Sequence, residues 1–376
     1  CLGCRACEIA CPVGVPYGHI LEAAKEVITD DLYELQHQTQ SNTAKKGSRW
    51  GTIFRTFIMK RLFPYPSRMR FAGNLLWVYQ RSKLDKLIRS TRLMQAISIP
   101  MAAFEQVLPP LENPQRRHSW GSVIPHRGVK KARIAFFAGC IMDAMMNRTN
   151  RLTIELMTLV GCEVVIPAGQ NCCGALHAHQ GMKEQAKELA RSNIIAFEQS
   201  GADYYINNAG GCGAMLHDYA HLFDHDPEWE ERAKAFSAKS MDVSQVLVNF
   251  GPLPYVHPWK GIVTYQDSCH LRNVQGVSSQ PRTLLKSIPG IIFVELEGHN
   301  QCCASGGIYN LLHYEESMII LDDKMIKVNA TKAATVVTTN PGCLLQMRLG
   351  VERTGDVPQM EAIHLVDLLA EACGLQ

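Results

Sequence analysis

Residues 132–140 read ARIAFFAGC, an apolar and β-compatible run that ends in Gly139-Cys140. The chain then alternates two kinds of pattern: a helix over 147–160, a strand over 163–166 that leads to Cys172-Cys173, a helix over 182–199, and a strand over 204–206 that leads to Cys212. Strands that alternate with helices in this order favour a parallel α/β unit.

The same order returns in the last third of the chain. Strand patterns over 262–265, 291–296 and 336–338 lead to Cys269, Cys302-Cys303 and Cys343. Corresponding cysteines are separated by 129, 130, 130 and 131 residues. Solenoid repeats have periods of about 20–50 residues, so a period this long indicates a duplicated domain.

Length and composition limit the class of protein. The chain has 376 residues, and a prior of about 150 residues per domain favours two or three domains. Its 46% hydrophobic and 19% charged residues exclude a disordered chain, and its net charge of +3 argues against a dedicated nucleic-acid binder. No run of 18 apolar residues occurs, so the sequence predicts no membrane-spanning helix.

We predict an α/β protein with four parts. They are a ferredoxin-like cluster segment over 1–30, a basic helical region over 31–130, and two duplicated parallel α/β cysteine-rich domains over 131–253 and 254–376.

The first twelve residues, CLGCRACEIACP, have the spacing C-x2-C-x2-C-x3-C-P of bacterial ferredoxins. Zinc sites usually pair two separated C-x2-C halves, so this run predicts a 4Fe-4S cluster. In two-cluster ferredoxins the fourth cysteine serves the other cluster. Since the chain opens on Cys1 without an initiator Met, we expect it to be a fragment whose upstream part carries the other motif.

Each repeat supplies a cysteine quartet: a lone cysteine, a vicinal pair and another lone cysteine. Each cysteine follows a predicted strand, so all four should meet at the carboxyl edge of a parallel sheet, where α/β sheets bind ligands. Flanking glycines, among them Gly139, Gly174 and Gly342, would allow close approach of the backbone. We favour cluster binding over zinc or a redox-active disulfide, and both alternatives stay open. Cys162 and Cys373 lie outside the quartets, and we expect them to be buried as small apolar residues.

Several polar residues near the quartets have a structural interpretation. We expect His177, His179, His270 and His299 to hydrogen-bond near the cysteines or lie on the surface rather than bind metal. Asp267 and Arg272 should be structural or surface charges. The acidic residues Asp224, Asp226, Glu228, Glu230 and Glu231 should form a solvated helix start.

The segment 41–130 is strongly basic, with seventeen Lys and Arg residues against three acidic ones. Trp50, Ile53, Phe54, Phe57, Ile58 and Phe63 follow roughly helical spacing between basic residues. We favour a helix packed on the protein or on a partner subunit over one lying on an anionic membrane.

Motifs for organic cofactors are missing. The sequence has no G-x-G-x-x-G, no G-x-x-x-x-G-K-[ST] and no G-x-S-x-G. A chain with several cluster motifs and no flavin or nucleotide signature is typical of an electron relay whose partner performs the bond chemistry.

At this point the residues resemble a known family. The stretches CLGCRACEIACPVGVPY (1–17), NCCGA (171–175), YQDSCHLRNVQGVSSQP (265–281) and NPGCLLQ (340–346) are similar to the iron–sulfur subunits of bacterial glycolate oxidase. Related classes are the iron–sulfur subunits of anaerobic glycerol-3-phosphate dehydrogenase, lactate-utilisation proteins and the cysteine-rich chain of heterodisulfide reductase. The last two usually lack a fused ferredoxin run.

The resemblance implies an electron-transfer role. Glycolate would be oxidised at FAD in partner glycolate oxidase subunits, and this chain would pass the electrons to a membrane or quinone acceptor. The expected location is the cytoplasm, with peripheral contact at the inner face of the membrane, and no nucleic-acid partner.

The same resemblance implies the ligands of the metal sites. They would be Cys1, Cys4, Cys7 and Cys11 for the ferredoxin-type cluster, and Cys140, Cys172, Cys173, Cys212, Cys269, Cys302, Cys303 and Cys343 for a further cluster in each repeat. The family's C-x-x-C ending is incomplete, because Ala209 and Asn340 replace its first cysteine, and Ala304 replaces the glycine after the second vicinal pair.

Two other classes of function stay open. One is a self-contained reductase whose repeat cluster acts directly on a disulfide or thiol. The other is a metal-stabilised scaffold without a redox role.

Overall fold

Two sheets, one in each cysteine-rich repeat, organise the fold. The computed structural model describes residues 1–38, 57–91, 93–119 and 121–376. The strands of the first sheet are β1 (Val123–Ile124), β2 (Ala132–Phe136), β3 (Cys162–Val165), β4 (Tyr204–Asn207) and β5 (Ser240–Asp242). Those of the second are β6 (Gly261–Tyr265), β7 (Ile291–Phe293), β8 (Thr335–Thr338) and β9 (Glu361–His364).

The sheet topology confirms the duplicated parallel α/β fold. The first sheet has the order β1-β3-β2-β4-β5 and the second has the order β7-β6-β8-β9. Without β1, which pairs antiparallel with β3, the two orders are equivalent. All other pairs are parallel; Phe136 faces Ile206 in one sheet and Tyr265 faces Val337 in the other.

Helices connect the strands and cover both faces of the sheets, as expected for a parallel α/β fold. In the first repeat they span Ile141–Met145, Asn147–Leu159, Ala175–Ala178, Lys183–Ser200, Gly210–Leu222, Glu230–Lys239 and Val243–Phe250. In the second they span Cys269–Asn273, Ser279–Ser287, Tyr309–Leu312, Tyr314–Ala330, Pro341–Thr354 and Leu365–Ala372.

The two repeats share one hydrophobic core. Helix Asn147–Leu159 of the first packs on helix Leu365–Ala372 of the second, and helix Val243–Phe250 packs on helix Ser279–Ser287. The two contacts are equivalent, because in each a helix between the first two parallel strands of one repeat meets the last helix of the other repeat. Buried Leu156 and Leu369 belong to this common core. The repeats therefore form one body with their cysteine-bearing edges in a fixed relation.

The described residues before 123 are mainly helical, as predicted. Its elements are α-helices Ala6–Ala10, Tyr17–Gln38, Pro66–Arg81, Leu84–Ser90, Leu93–Ile97 and Ile99–Gln106, a π-helical turn Ile58–Leu62 and a 3-10 helix Pro114–Ser119. The domain boundaries at 30, 130 and 253 stay predictions. Among the described residues, every helix is too short or too polar to cross a bilayer.

The basic region packs on the first repeat. Gly73 of helix Pro66–Arg81 lies so close to the carbonyl of Ala144 that a Cβ there would collide with it. Arg70 adds a 2.6 Å ion pair to Asp143.

The expected amphipathic segment falls only partly within the described residues. Its members Trp50, Ile53 and Phe54 lie outside them, and Phe57 is exposed. Leu62 and Phe63 pack against the core of the first repeat, which supports the packed interpretation for this part.

Candidate iron–sulfur centres

The first quartet is brought together at the carboxyl edge of the first sheet. Cys140 follows β2, the Cys172-Cys173 pair follows β3, and Cys212 lies in the first turn of the helix after β4. The Cys140 thiol donates a hydrogen bond to Cys172 Sγ at 3.5 Å, and Cys173 is hydrogen-bonded to both Cys172 and Cys212. The four sulfurs therefore form one cluster of thiols, as the strand pattern predicted.

Hydrogen bonds between the thiols of this quartet shift their pKa values in different directions. Those from Cys140 and Cys173 lower the pKa of Cys172 well below its ordinary value. The same bond to Cys172, together with burial, raises the pKa of Cys140. The thiolate is the form that binds metals, so the lowered pKa of Cys172 favours its metal-binding form.

Buried polar side chains fix the backbone of the first vicinal pair. Asn193 Nδ2 donates to the carbonyl of Cys172 at 3.0 Å, and the Tyr219 hydroxyl donates to the carbonyl of Cys173 at 2.9 Å. Asn193 Oδ1 also accepts from the Asn171 N–H at 2.8 Å. These bonds hold the loop in one conformation, because each buried polar group has its partner.

His177 is fully buried beside this pair, and it connects the pair to the basic region. Its Nε2 bonds the carbonyl of Met59 at 2.8 Å, which requires a proton on Nε2 because a carbonyl only accepts. Burial lowers the pKa of His177, but the interactions with Cys172 and with the Met59 carbonyl together outweigh burial and raise the pKa. His177 therefore hydrogen-bonds near the cysteines, as expected, and its bond to Met59 holds the basic region beside them.

The second quartet has the same placement on the second sheet. Cys269 begins the helix after β6, Cys302-Cys303 follows β7, and Cys343 lies in the first turn of the helix after β8. A hydrogen bond with Cys302, together with burial, raises the pKa of Cys269 well above its ordinary value. The Ala304 N–H donates to Cys302 Sγ at 3.4 Å, despite the unfavourable positive φ of 70° at this alanine.

Asn340 takes the place of a cysteine that the related motif would have. Its Nδ2 donates to Cys343 Sγ at 3.5 Å, and its Oδ1 accepts from the Gly211 N–H at 2.9 Å. Asn340 therefore connects the helix that carries Cys343 to the helix that carries Cys212.

Two buried charged side chains, Asp267 and Lys324, lie near the second quartet. Asp267 is almost fully buried and pairs with Arg282 at 2.8 Å and with His299 at 2.7 Å, so it is structural, as expected. Lys324 is 1% exposed, and its Nζ donates to the carbonyl of Gly298 at 2.7 Å. Burial lowers the pKa of Lys324 to about 8, although Cys303 and Cys302 act in the opposite direction.

The ferredoxin-type run lies against the second quartet. Cys4 is beside Cys302, and the hydrogen bond between their thiols raises the pKa of Cys4 strongly. The Asn273 side-chain amide donates to the carbonyl of Cys4 at 2.8 Å. The other cysteines of the run, Cys1, Cys7 and Cys11, are exposed or partly exposed.

Ion pairs attach the run to the first repeat as well. Arg5 Nη1 lies 2.6 Å from Asp218, and His179 Nδ1 lies 2.7 Å from Glu22. His179 also stacks on His270, with ring centroids 5.5 Å apart, and burial lowers the pKa of His270 to about 4. These histidines lie at the junction of the run with both repeats.

The donor chemistry fits iron–sulfur clusters. Each quartet offers four cysteine sulfurs at one sheet edge, and Cys ligands hold such clusters. In the described ranges, no three His, Cys, Asp or Glu side chains are arranged around a single metal ion. A cluster distributes its ligands over several iron atoms, so its four sulfurs need not meet at one point. The ligand assignments of all twelve cysteines stay predictions.

Residues outside the quartets behave as expected. Cys162 and Cys373 are buried in the common core, and Asp226 accepts from the backbone N–H groups of Glu228 and Trp229 at a helix start.

Sequence reasoning missed Asn193, Tyr219, Asn273 and Lys324. For Lys324 a signal existed, because it occupies an apolar register position between Leu321 and Val328 of one helix.

Comparisons with known proteins agree with this organisation. The family described as "Glycolate oxidase iron-sulfur subunit, linker region" matches residues 50–108, and the family described as "Cysteine-rich domain" matches residues 134–217 and 263–348. The first cysteine-rich match begins within β2 and extends past Cys212, and the second begins within β6 and extends past Cys343.

The chain is similar over its whole length to the "Probable glycolate oxidase iron-sulfur subunit" of Bacillus subtilis. The two are 48% identical over 376 residues, which is all of this chain and 82% of that protein. "Lactate utilization protein A" of Oceanobacillus iheyensis is 34% identical over 238 residues, which is 63% of this chain and 96% of that protein.

Among solved structures, a hypothetical protein from Helicobacter pylori is similar over 94% of this chain and 77% of that protein's chain. The TM-score is 0.47 and the sequence identity is 10%. The full-length identity to the Bacillus subtilis protein, together with the linker and cysteine-rich matches, shows that the chain belongs to the glycolate oxidase iron–sulfur subunit family.

Proposed function

We propose that this chain is the electron-transfer subunit of a glycolate oxidase. It would take electrons from FAD in partner subunits and pass them to a membrane or quinone acceptor. Family membership supports the general role, an iron–sulfur subunit of an oxidoreductase that works with a partner subunit. Glycolate, FAD and the acceptor are the specific parts of the proposal.

The observation that carries the proposal is the docking of the ferredoxin-type run beside the second quartet, where Asn273 donates a 2.8 Å hydrogen bond to the carbonyl of Cys4 and Cys4 lies near Cys302. This docking brings a cysteine of the run close to a cysteine of the second quartet. A bound iron–sulfur cluster at each site would supply one-electron transfer. The Asn273 bond to Cys4 and the Arg5–Asp218 ion pair would keep the two sites at a fixed separation.

The relatives support a 2-hydroxy acid as the source of electrons. One is named for glycolate oxidase and another for lactate utilization, and glycolate and lactate are both 2-hydroxy acids. The full-length match favours glycolate. Since the sequence has no flavin fingerprint, we assign the hydride chemistry to the partner.

The exposed face of helix Pro66–Arg81 supports a contact outside this chain. Phe71, Leu75 and Val78, spaced by four and three residues, form an exposed apolar stripe. Arg68 and Arg81 are exposed on the same helix, which contains no acidic residue. We propose that this face meets the partner subunit, in a cytoplasmic complex at the inner face of the membrane.

The test is anaerobic co-purification followed by EPR and ultraviolet–visible spectroscopy. We expect a flavoprotein to co-purify and the iron signals of this chain to be reduced on adding glycolate. Lactate and glycerol-3-phosphate serve as comparison substrates, and the flavin-free chain should show no turnover with any of the three. Turnover by the flavin-free chain, or zinc in place of reducible iron, would overturn the proposal.

A further inference from the structure

One structurally equivalent position differs in charge between the two repeats. Helix Lys183–Ser200 of the first repeat and helix Tyr314–Ala330 of the second both follow the vicinal pair, and their first residues are offset by 131. The same offset relates the buried residues Ala186 to Ser317 and Asn193 to Lys324. Where the first repeat has a neutral amide, the second has an ammonium group.

Both side chains donate a hydrogen bond to a backbone carbonyl in or before the vicinal pair of their own repeat. Asn193 Nδ2 donates to the carbonyl of Cys172, and Lys324 Nζ donates to the carbonyl of Gly298 in the loop that leads to Cys302. A neutral side chain can also hydrogen-bond the backbone of this loop. Ser317, on the same helix as Lys324, donates to the carbonyl of Ala304 at 3.0 Å. The charge of Lys324 therefore needs another explanation.

A buried ammonium group without an opposite charge is costly. In the described part of the chain, no carboxylate lies within ion-pair distance of Lys324. Asp267 acts on it from farther away, but this carboxylate is already paired with Arg282 and His299. The remaining negative groups near Lys324 are the sulfurs of Cys302 and Cys303 once they bind metal as thiolates.

We propose that Lys324 is a positioning residue that raises the reduction potential of the second centre above that of the first. This inference rests on the proposed function, because it requires a cluster in the second quartet. Reduction adds one negative charge, and a nearby buried cation stabilises that charge more than solvent-screened cations do. At the first centre the equivalent position holds the neutral Asn193. Electrons would then collect at the centre that adjoins Cys4.

The experiment is an EPR-monitored redox titration of the anaerobic complex with its flavin subunits. Cys302→Ser first identifies which signal belongs to the second quartet. Lys324→Gln keeps a hydrogen-bond donor without the charge, and Lys324→Met fills the same volume if the first variant does not accumulate. Lys327→Gln is the matched control, because Lys327 binds Gln301 Oε1 on the same loop but is partly exposed.

We expect both Lys324 variants to lower the equilibrium constant for one-electron reduction at least tenfold, which is about 59 mV. The Lys327 variant should change it clearly less. An unchanged potential in Lys324→Gln or Lys324→Met, with the signal of the second centre present, overturns the inference but leaves the proposed function intact. If Cys302→Ser removes no reducible signal, the proposed function fails first, and the inference fails with it.

Discussion

Asn273 donates a 2.8 Å hydrogen bond to the carbonyl of Cys4, four residues after Cys269 begins its helix. The bond attaches the ferredoxin-type run to the second repeat at the point where the Cys4 thiol lies beside Cys302. It spans 269 positions of the sequence, and it makes the second quartet, rather than the first, the neighbour of the run.

Loss of the Asn273–Cys4 hydrogen bond should weaken the attachment of the ferredoxin-type run to the second repeat. Asn273→Ala leaves the Cys4 carbonyl without its donor, which should lower the stability of the docked run by about 1 kcal/mol. We expect weaker magnetic coupling between the iron centre of the run and that of the second quartet, measured by EPR at low temperature. Ser279→Ala, which removes an exposed hydroxyl at the start of the next helix, should leave the coupling unchanged.

The two vicinal pairs should each control one centre. Replacing Cys172 and Cys173 by Ser should remove the iron of the first centre and lower the melting temperature, because ligands there tie three strand ends together. The equivalent change at Cys302 and Cys303 should remove the second centre. Cys162→Ser, in the common core, should reduce stability without loss of iron per folded chain. Full iron content in both double variants would show that the quartets do not bind clusters.

The Arg5–Asp218 ion pair should hold the run on the first repeat. Both side chains are mostly buried, so Asp218→Asn removes the partner of Arg5 on the first repeat, while Arg5 keeps its 2.9 Å pair with Glu8. The change should cost about 1 kcal/mol of docking free energy. Hydrogen exchange of residues 1–25 should become faster while the sheets stay protected. Glu198→Gln, which breaks the more exposed pair with Arg232, is the control and should change little. Equal exchange in both variants would contradict the assigned role of Asp218.

The turn after the first vicinal pair should favour glycine. Gly174 has φ 89°, and a Cβ there would lie 3.4 Å from Ala186. Gly174→Ala should therefore cost about 1–2 kcal/mol from backbone strain and lower the iron affinity of the first quartet. Gly201→Ala has a similar φ of 62° but open space, far from the cysteines. It should lower the melting temperature without changing iron content. Metal analysis beside thermal unfolding separates the two effects.

The sequence predicted the parts of the fold that rest on local patterns. Apolar runs such as 132–136 became strands, and the lone cysteines and vicinal pairs follow strand ends, because the carboxyl ends of parallel strands meet at one edge. The strands β1, β5 and β9 were missed, because each contains at most two apolar residues, in contrast to longer apolar runs such as 291–296.

Contacts between distant segments could not be predicted in the same way. The Cys4–Cys302 contact depends on how the run docks on two repeats that share a core, and no local spacing encodes that docking. Lys324 shows the same limit, because a lysine in an apolar register indicates burial but not the group that it approaches.

Freeze-quench EPR of the anaerobic complex, mixed with glycolate, tests the central claim most directly. We expect reduced iron signals from both the ferredoxin-type run and the second quartet to follow reduction of the partner's flavin, and Cys302→Ser to abolish the second of these. Flavin reduction without any reduced iron in this chain would contradict its role as the electron-transfer subunit.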